Sequence, residues 1–215
     1  ICSLGVSPFL NQMAMFLVQI TLNNTLTYYG ALSHYGEDIP LACVGVISKV
    51  NILMLGFTLG ISQGCQPIFS YNYGARQYSR VREAYRKAIV AASIICCIAF
   101  VCFQLFPRPI VALFDPSGSE EYFQFAERYF RIYMFMTLAN AFQPITANFF
   151  TSIGKAAKGI FISLTRQIIF LLPLIIILPL IFGIEGVMYS APVADLMAAA
   201  LAALFVVREL SQMKQ

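Results

Sequence analysis

The chain has 215 residues, 59% of them hydrophobic and 11% charged, with a net charge of +4 and a mean hydropathy of +0.75. Soluble domains carry about 25% charged residues because water must cover them, so water is not the main solvent of this chain. The length fits about six bilayer crossings of roughly 20–30 residues joined by short connections.

Six apolar runs follow one another, at approximately 5–28, 41–69, 86–106, 122–151, 160–182 and 184–207. Backbone groups in lipid must satisfy one another, and strand alternation is absent, so all six read as helices of an all-α membrane protein. The opening stretch from Ile1 holds Pro8, Asn11 and Gln12 without a basic leader or a small-residue cleavage site. It reads as an internal cut in a longer protein rather than a signal peptide.

The first span places Gln12, Gln19 and Asn23 on one stripe. In the second, Lys49, Gly56, Gly60, Gln63 and Pro67 share a face at about 100° per residue. That face either receives a neighbouring backbone, as Gly-x3-Gly stripes do, or borders a cavity, and Lys49 either snorkels outward or points into a wet pocket. The fourth span carries Asn140, Gln143 and Asn148 around Pro144, beside Met134, Phe135, Met136 and Phe142. Such amides tie helices together or bind ligands, and the Met and Phe side chains suit an adaptable lining for greasy cations.

The fifth span opens with Arg166 about one and a half turns in and contains Pro173 and Pro179. Asp195 lies at the middle of the sixth, near Pro192, with small residues Ala191, Ala198 and Ala202 around it. A carboxylate facing lipid at that depth costs about 3 kcal/mol or more, so Asp195 must face protein or water, with Arg166 as one candidate partner. Interior prolines at Pro67, Pro144, Pro173, Pro179 and Pro192 read as helix breaks that membrane helices tolerate.

Lys and Arg fall on one side: Arg76, Arg80, Arg82, Arg86 and Lys87 after span two, Lys155 and Lys158 after span four, Arg208 and Lys214 after span six. The opposite loops hold Glu37, Asp38, Asp115, Glu120, Glu121 and Glu185, with Arg108 the one basic residue clear of a span end. By the positive-inside rule the basic side, with both chain ends, is cytoplasmic, and the positive charge needs no nucleic-acid partner. His34 is the sole histidine and no GxxxxGK[ST] loop is present, so neither a histidine-based enzyme or metal centre nor an ATP motor is expected. The six cysteines, Cys2, Cys43, Cys65, Cys96, Cys97 and Cys102, form no CxxC pair and read as packing residues.

Two stretches carry a family resemblance. GISQGCQPIFSYNYGARQYSRVREAYRKA, residues 60–88, is a helix ending in Gln66-Pro67, an Asn72-x-Gly74-Ala75 turn and a basic amphipathic segment. It resembles the region after the seventh helix of the multidrug and toxin extrusion (MATE) family. The stretch 149–196, with its Gly154-Lys155-Ala156 turn, Arg166-Gln167, Pro173 and Pro192-x2-Asp195, is similar to the end of helix ten through helix twelve of the same family, in its MepA-like branch.

The resemblance implies a twelve-helix protein of two related six-helix lobes, of which residues 1–215 would be a single lobe, helices seven to twelve. It further implies a non-enzymatic multidrug exporter, monomeric when full length, in a bacterial cytoplasmic membrane. Such a pump moves amphipathic or cationic drugs against inward H+ or Na+ by alternating access, with no other cofactor and with the N-terminal lobe as partner. On that reading Gln12, Gln19, Asn23, Lys49, Gln63, Asn140, Gln143 and Met136 line the cleft. Asp195 and Arg166 serve coupling or gating, and Gln66, Pro67, Asn72, Gly74, Pro144, Gly154, Pro173 and Pro192 make helix breaks and turns. One departure stands out: spans one and four lack the central carboxylates that some family members use for cations. The alternative is a lipid-linked oligosaccharide flippase of related architecture, which would line its cleft with several cations, whereas this half offers Lys49 and Arg166.

Overall fold

The computed structural model describes residues 2–114 and 118–213, without the side chains of residues 2–8 and Asn140. Asp115, Lys214 and the side chain of Cys2 therefore lie outside the described residues, as does the expected cleft role of the Asn140 side chain. The described backbone is helical: α1 (Cys2–Ala31), α2 (Asp38–Gly74), α3 (Tyr78–Leu105), α4 (Pro107–Ala112), α5 (Glu120–Tyr133), α6 (Ala139–Ser152), α7 (Ala156–Leu164), α8 (Leu172–Phe182) and α9 (Ile184–Gln212). A 3-10 turn, Met134–Met136, joins α5 to α6, and a π-helical segment, Thr165–Leu171, joins α7 to α8.

These elements make six long transverse segments: α1, α2, α3, α5 with α6, α7 with α8, and α9. Four are long and apolar enough to cross a membrane on length and composition alone, Asp38–Gly74, Tyr78–Leu105, Ala156–Phe182 and Ile184–Gln212. The fourth segment is interrupted, so it is not one continuous helix, and α4 is a short helix that hydropathy did not reveal.

The expected proline breaks differ from the structure at four sites. Helices α2, α6, α8 and α9 continue past Pro67, Pro144, Pro179 and Pro192. A proline removes one i→i−4 hydrogen bond, and packing of a long apolar helix against its neighbours tolerates that loss. Thus Gln66-Pro67 does not end a helix; α2 continues two turns further, and the Asn72 side chain donates back to the Ile68 carbonyl at 2.8 Å.

Nor is Gly74 the turning residue. Arg76 adopts φ +56°, with Gln77 N–H donating to Asn72 O at 2.9 Å and Arg76 N–H to Tyr73 O at 3.0 Å, which is a complete Schellman cap with arginine where glycine is usual. The turn after α6 repeats it with Gly154 at φ +80°, Lys155 N–H on Phe150 O and Gly154 N–H on Thr151 O. The two turns thus share one cap geometry, with Arg76 in the place of Gly154.

The core sits between α2, α3, α5, α6 and α9, which pack on one another. Near one end Phe69, Tyr85, Phe149 and Phe150 form an aromatic cluster, and Tyr85 OH meets Thr146 Oγ1 at 2.7 Å. Asn148 donates to Ser62 Oγ at 2.8 Å and Ser70 to Ser152 O at 2.9 Å, so α2 and α6 are laced by short polar groups. Of the fourth-span amides, Asn148 is thus a helix tie.

The two ends of the bundle differ in charge. At one, Lys155 and Lys158 both pair with Glu209, which is 2% exposed, the Lys158 contact measuring 2.8 Å. The hydrogen bond to Glu209 holds the Lys155 ammonium above its ordinary pKa, against desolvation that works the other way. At the other end Arg108 pairs with Glu120 at 2.6 Å and Arg128 with Glu185 at 2.8 Å.

Candidate functional site

The midpoint of α9 is built for close approach. Ala191, Ala194, Ala198 and Ala202 form its buried face, and Asp195 lies among them, 6% exposed. The opposing wall is the π-helical segment. Pro173 has no N–H to give to the carbonyl four residues earlier and its ring crowds that carbonyl, so the preceding turn widens to the i→i+5 pattern. The extra residue in that turn leaves Arg166 and Gln167 both directed inward. Arg166 then reaches Asp195 through Nε at 2.7 Å and Nη2 at 2.6 Å, both on Oδ1. Two residues chosen from the sequence as possible partners are joined, with side chains 17% and 7% exposed.

Above the pair lies a cavity of about 150 Å³ between α1, α2, α5, the π segment and α9. Its inner wall is Tyr129, Tyr133, Arg166 and Gln167, and its rim includes Gln19 and Ile52, both exposed. Asn51 Oδ1 and Tyr129 OH, each buried and without a hydrogen-bond partner, border the same space. Orphaned polar atoms beside a cavity large enough for water are places where water or a polar ligand group binds. The cavity thus extends from Gln19 at the surface to Arg166, the partner of Asp195.

The remaining predicted lining residues fall into two groups. Gln12, Gln19, Asn23, Lys49 and Gln63 are exposed, and Gln19 donates to Asn23 at 3.0 Å along its own helix. A Cβ built on Gly56, Gly60 or Gly64 would meet nothing within 4 Å, so among the described residues no backbone packs against that glycine face. Gln143 and Met136 are half-buried, on α6 and the turn before it.

Sequence reasoning missed Asn51, Tyr129, Tyr133 and Glu209. Glu209 carried a readable signal: it follows Ala202 and Val206 at i+7 and i+3 on the buried face of α9. Tyr129 and Tyr133 are an i, i+4 pair, stacked with centroids 5.7 Å apart, but tyrosines at that spacing are ordinary core residues. Among the described residues no group of three or more His, Cys, Asp or Glu is placed to hold a metal ion.

Comparison with known proteins accords with this geometry. The MatE family model matches residues 12–177. The multidrug export protein MepA of Staphylococcus aureus (strain bovine RF122 / ET3-1) is 22% identical over 209 residues, 96% of this chain and 43% of that protein. A multidrug resistance MATE family transporter of the MOP superfamily in its outward-facing conformation superposes with a TM-score of 0.87 at 20% identity, over 98% of this chain and 46% of that one. An inward-facing conformation of a MATE family transporter also gives 0.87, over 98% and 47%. The chain spans slightly less than half the length of the relatives it matches.

Proposed function

The chain belongs to the MatE family of multi-pass membrane transporters, and from that premise we propose that it is the C-terminal lobe of a two-lobe exporter. The full protein moves amphipathic or cationic small molecules out of the cell against H+ or Na+, and residues 1–215 form one wall of its central cleft. The basic end of the lobe, with Lys155, Lys158 and Arg76, faces the cytoplasm of a bacterium by the positive-inside rule. The partner surface is the N-terminal lobe.

One observation carries this reading: the uncovered polar stripes on α1 and α2. Gln12, Gln19, Asn23, Lys49 and Gln63 are exposed on largely apolar helices, beside a glycine face against which none of the described residues packs. A lysine facing hydrocarbon at the centre of a bilayer costs about 3 kcal/mol, and amides are also poorly solvated there. Water, a second lobe or a polar ligand must therefore meet those stripes in the working protein. A cleft between two lobes supplies all three.

The Arg166–Asp195 pair is the element we assign to gating or ion coupling. A buried pair is worth little as glue, since desolvation offsets its attraction, but breaking it leaves one charge stranded. A proton or a monovalent cation that reached Asp195 through the cavity at Gln19 would release Arg166 and free α9 from the π segment. The equal match of this lobe to an outward-facing and an inward-facing transporter supports movement of the lobe as a body, with the cleft opening between lobes.

The test is ethidium efflux from pump-deficient bacteria expressing the full-length protein, with and without a protonophore and with and without sodium. Export that collapses with one gradient supports antiport and names the ion. Dye retention that neither gradient alters would overturn the reading.

A further inference from the structure

The start of α3 gathers cations that the transport reading does not use. Arg76, Arg80 and Arg82 surround a hollow of about 520 Å³ together with Ser79 and Met213. Among the described residues none of the three arginine side chains makes an ion pair or a side-chain hydrogen bond, and Arg82 Nε is buried without a partner. Gln77, the residue capping α3, offers no side-chain hydrogen bond to the helix, and its carbonyl accepts from Arg80 N–H at 3.0 Å, which leaves the N–H groups of Tyr78 and Ser79 at the helix start without an intrahelical acceptor. A helix N-terminus and three unpaired guanidinium groups make an anion site.

The hollow does not end there. Arg80 also lines a second one, of about 500 Å³, whose walls are the apolar Ile61, Cys65 and Ile68 of α2 and Ala84, Ala88 and Ala91 of α3. Glu83 sits on its edge but is matched by Lys87 at 2.7 Å, so the charge there remains positive. Tyr73 and Tyr78, packed edge to face at 5.7 Å, mark this level as a membrane–water interface, where tyrosine rings gather. Arg80 lines both hollows, so a cationic pocket adjoins a largely apolar trough between α2 and α3.

We propose that this groove binds an anionic phospholipid, its phosphate held by Arg76, Arg80 and the start of α3, and an acyl chain lying between α2 and α3. Free phosphate has no use for the trough, and a zwitterionic lipid brings no net charge to the arginines. The left-handed backbone at Arg76 turns its side chain away from the helix axis toward the hollow's other cations. The site lies outside the proposed cleft wall, so it neither needs nor alters the antiport reading.

The experiment uses the full-length protein in phosphatidylcholine bilayers, with electron spin resonance of spin-labelled phosphatidylglycerol against spin-labelled phosphatidylcholine. The expected result is selective retention of phosphatidylglycerol, falling by about fivefold or more in Arg76→Gln/Arg80→Gln, since each juxtamembrane cation contributes on the order of 1 kcal/mol. Arg208→Gln, a cation at the same end but outside the groove, keeps the selectivity, as does addition of inorganic phosphate. Equal retention of the two lipids, or the same loss in Arg208→Gln as in the double variant, overturns the proposal, and so does displacement by inorganic phosphate alone. Elution of each variant as a single species checks that the fold is intact.

Discussion

Asp195 and Arg166 show how a pair of charges constrains two helices without adding much stability. Each satisfies the other at 2.6–2.7 Å, and neither has an alternative partner of opposite charge among the described residues. Asp195→Asn therefore strands a guanidinium in the bundle and should destabilise the full-length protein by about 3 kcal/mol, seen as a lower midpoint in thermal unfolding. Asp195→Asn combined with Arg166→Gln should recover a good part of that loss, because no charge is left alone. If the double variant is as unstable as Asp195→Asn, the pair is not the cause. Both charges were visible in the sequence because a charge amid long apolar runs is conspicuous. Asn51, Tyr129 and Tyr133 were not, since an Asn or a Tyr is unremarkable within a helix and only tertiary packing brings these three to one cavity.

At the scale of helices, the six segments follow from hydropathy because the bilayer imposes one length on each, while their interruptions do not. The break at Met134–Met136 contains no glycine or proline and depends on how neighbours pack, and Pro173 widens the turn at Thr165–Leu171 where four other prolines leave their helices continuous. Prolines misled for the same reason: Pro67, Pro144, Pro179 and Pro192 sit inside continuous helices, whereas Pro173 follows a widened turn. The α8–α9 hairpin offers a sharp check. A Cβ on Gly186 would stand 2.4 Å from the Leu178 carbonyl carbon and oxygen, which are backbone and cannot yield cheaply. Gly186→Ala should cost about 2 kcal/mol or more and sharply reduce the folded yield, judged by monodispersity in detergent. Gly56→Ala, whose Cβ meets nothing within 4 Å, should leave that yield unchanged. The Glu209 clamp is another element-level device. Glu209→Gln removes the partner of both Lys155 and Lys158 and should speed hydrogen exchange in the turn 153–155, with little change at the opposite end of the bundle.

For the molecule as a whole, the bundle has an apolar periphery and two exposed polar stripes, and it spans slightly less than half the length of the relatives it matches. The family and the helical architecture were readable from two motif-bearing stretches and from charge bias. The exposed polar stripes were readable only as a list of residues, because exposure depends on what each helix packs against. The decisive question is whether those stripes meet water or lipid. In the full-length protein, freed of its native cysteines and reconstituted in liposomes, Gln63→Cys and Gln12→Cys can be treated with a small cationic methanethiosulfonate and compared with Ile98→Cys, whose parent residue is 61% exposed on α3. A wet cleft predicts rapid modification of the two α1 and α2 positions, slowed by ethidium, and negligible modification at Ile98→Cys. Equal, slow modification at all three positions would put the stripes in lipid and contradict the account.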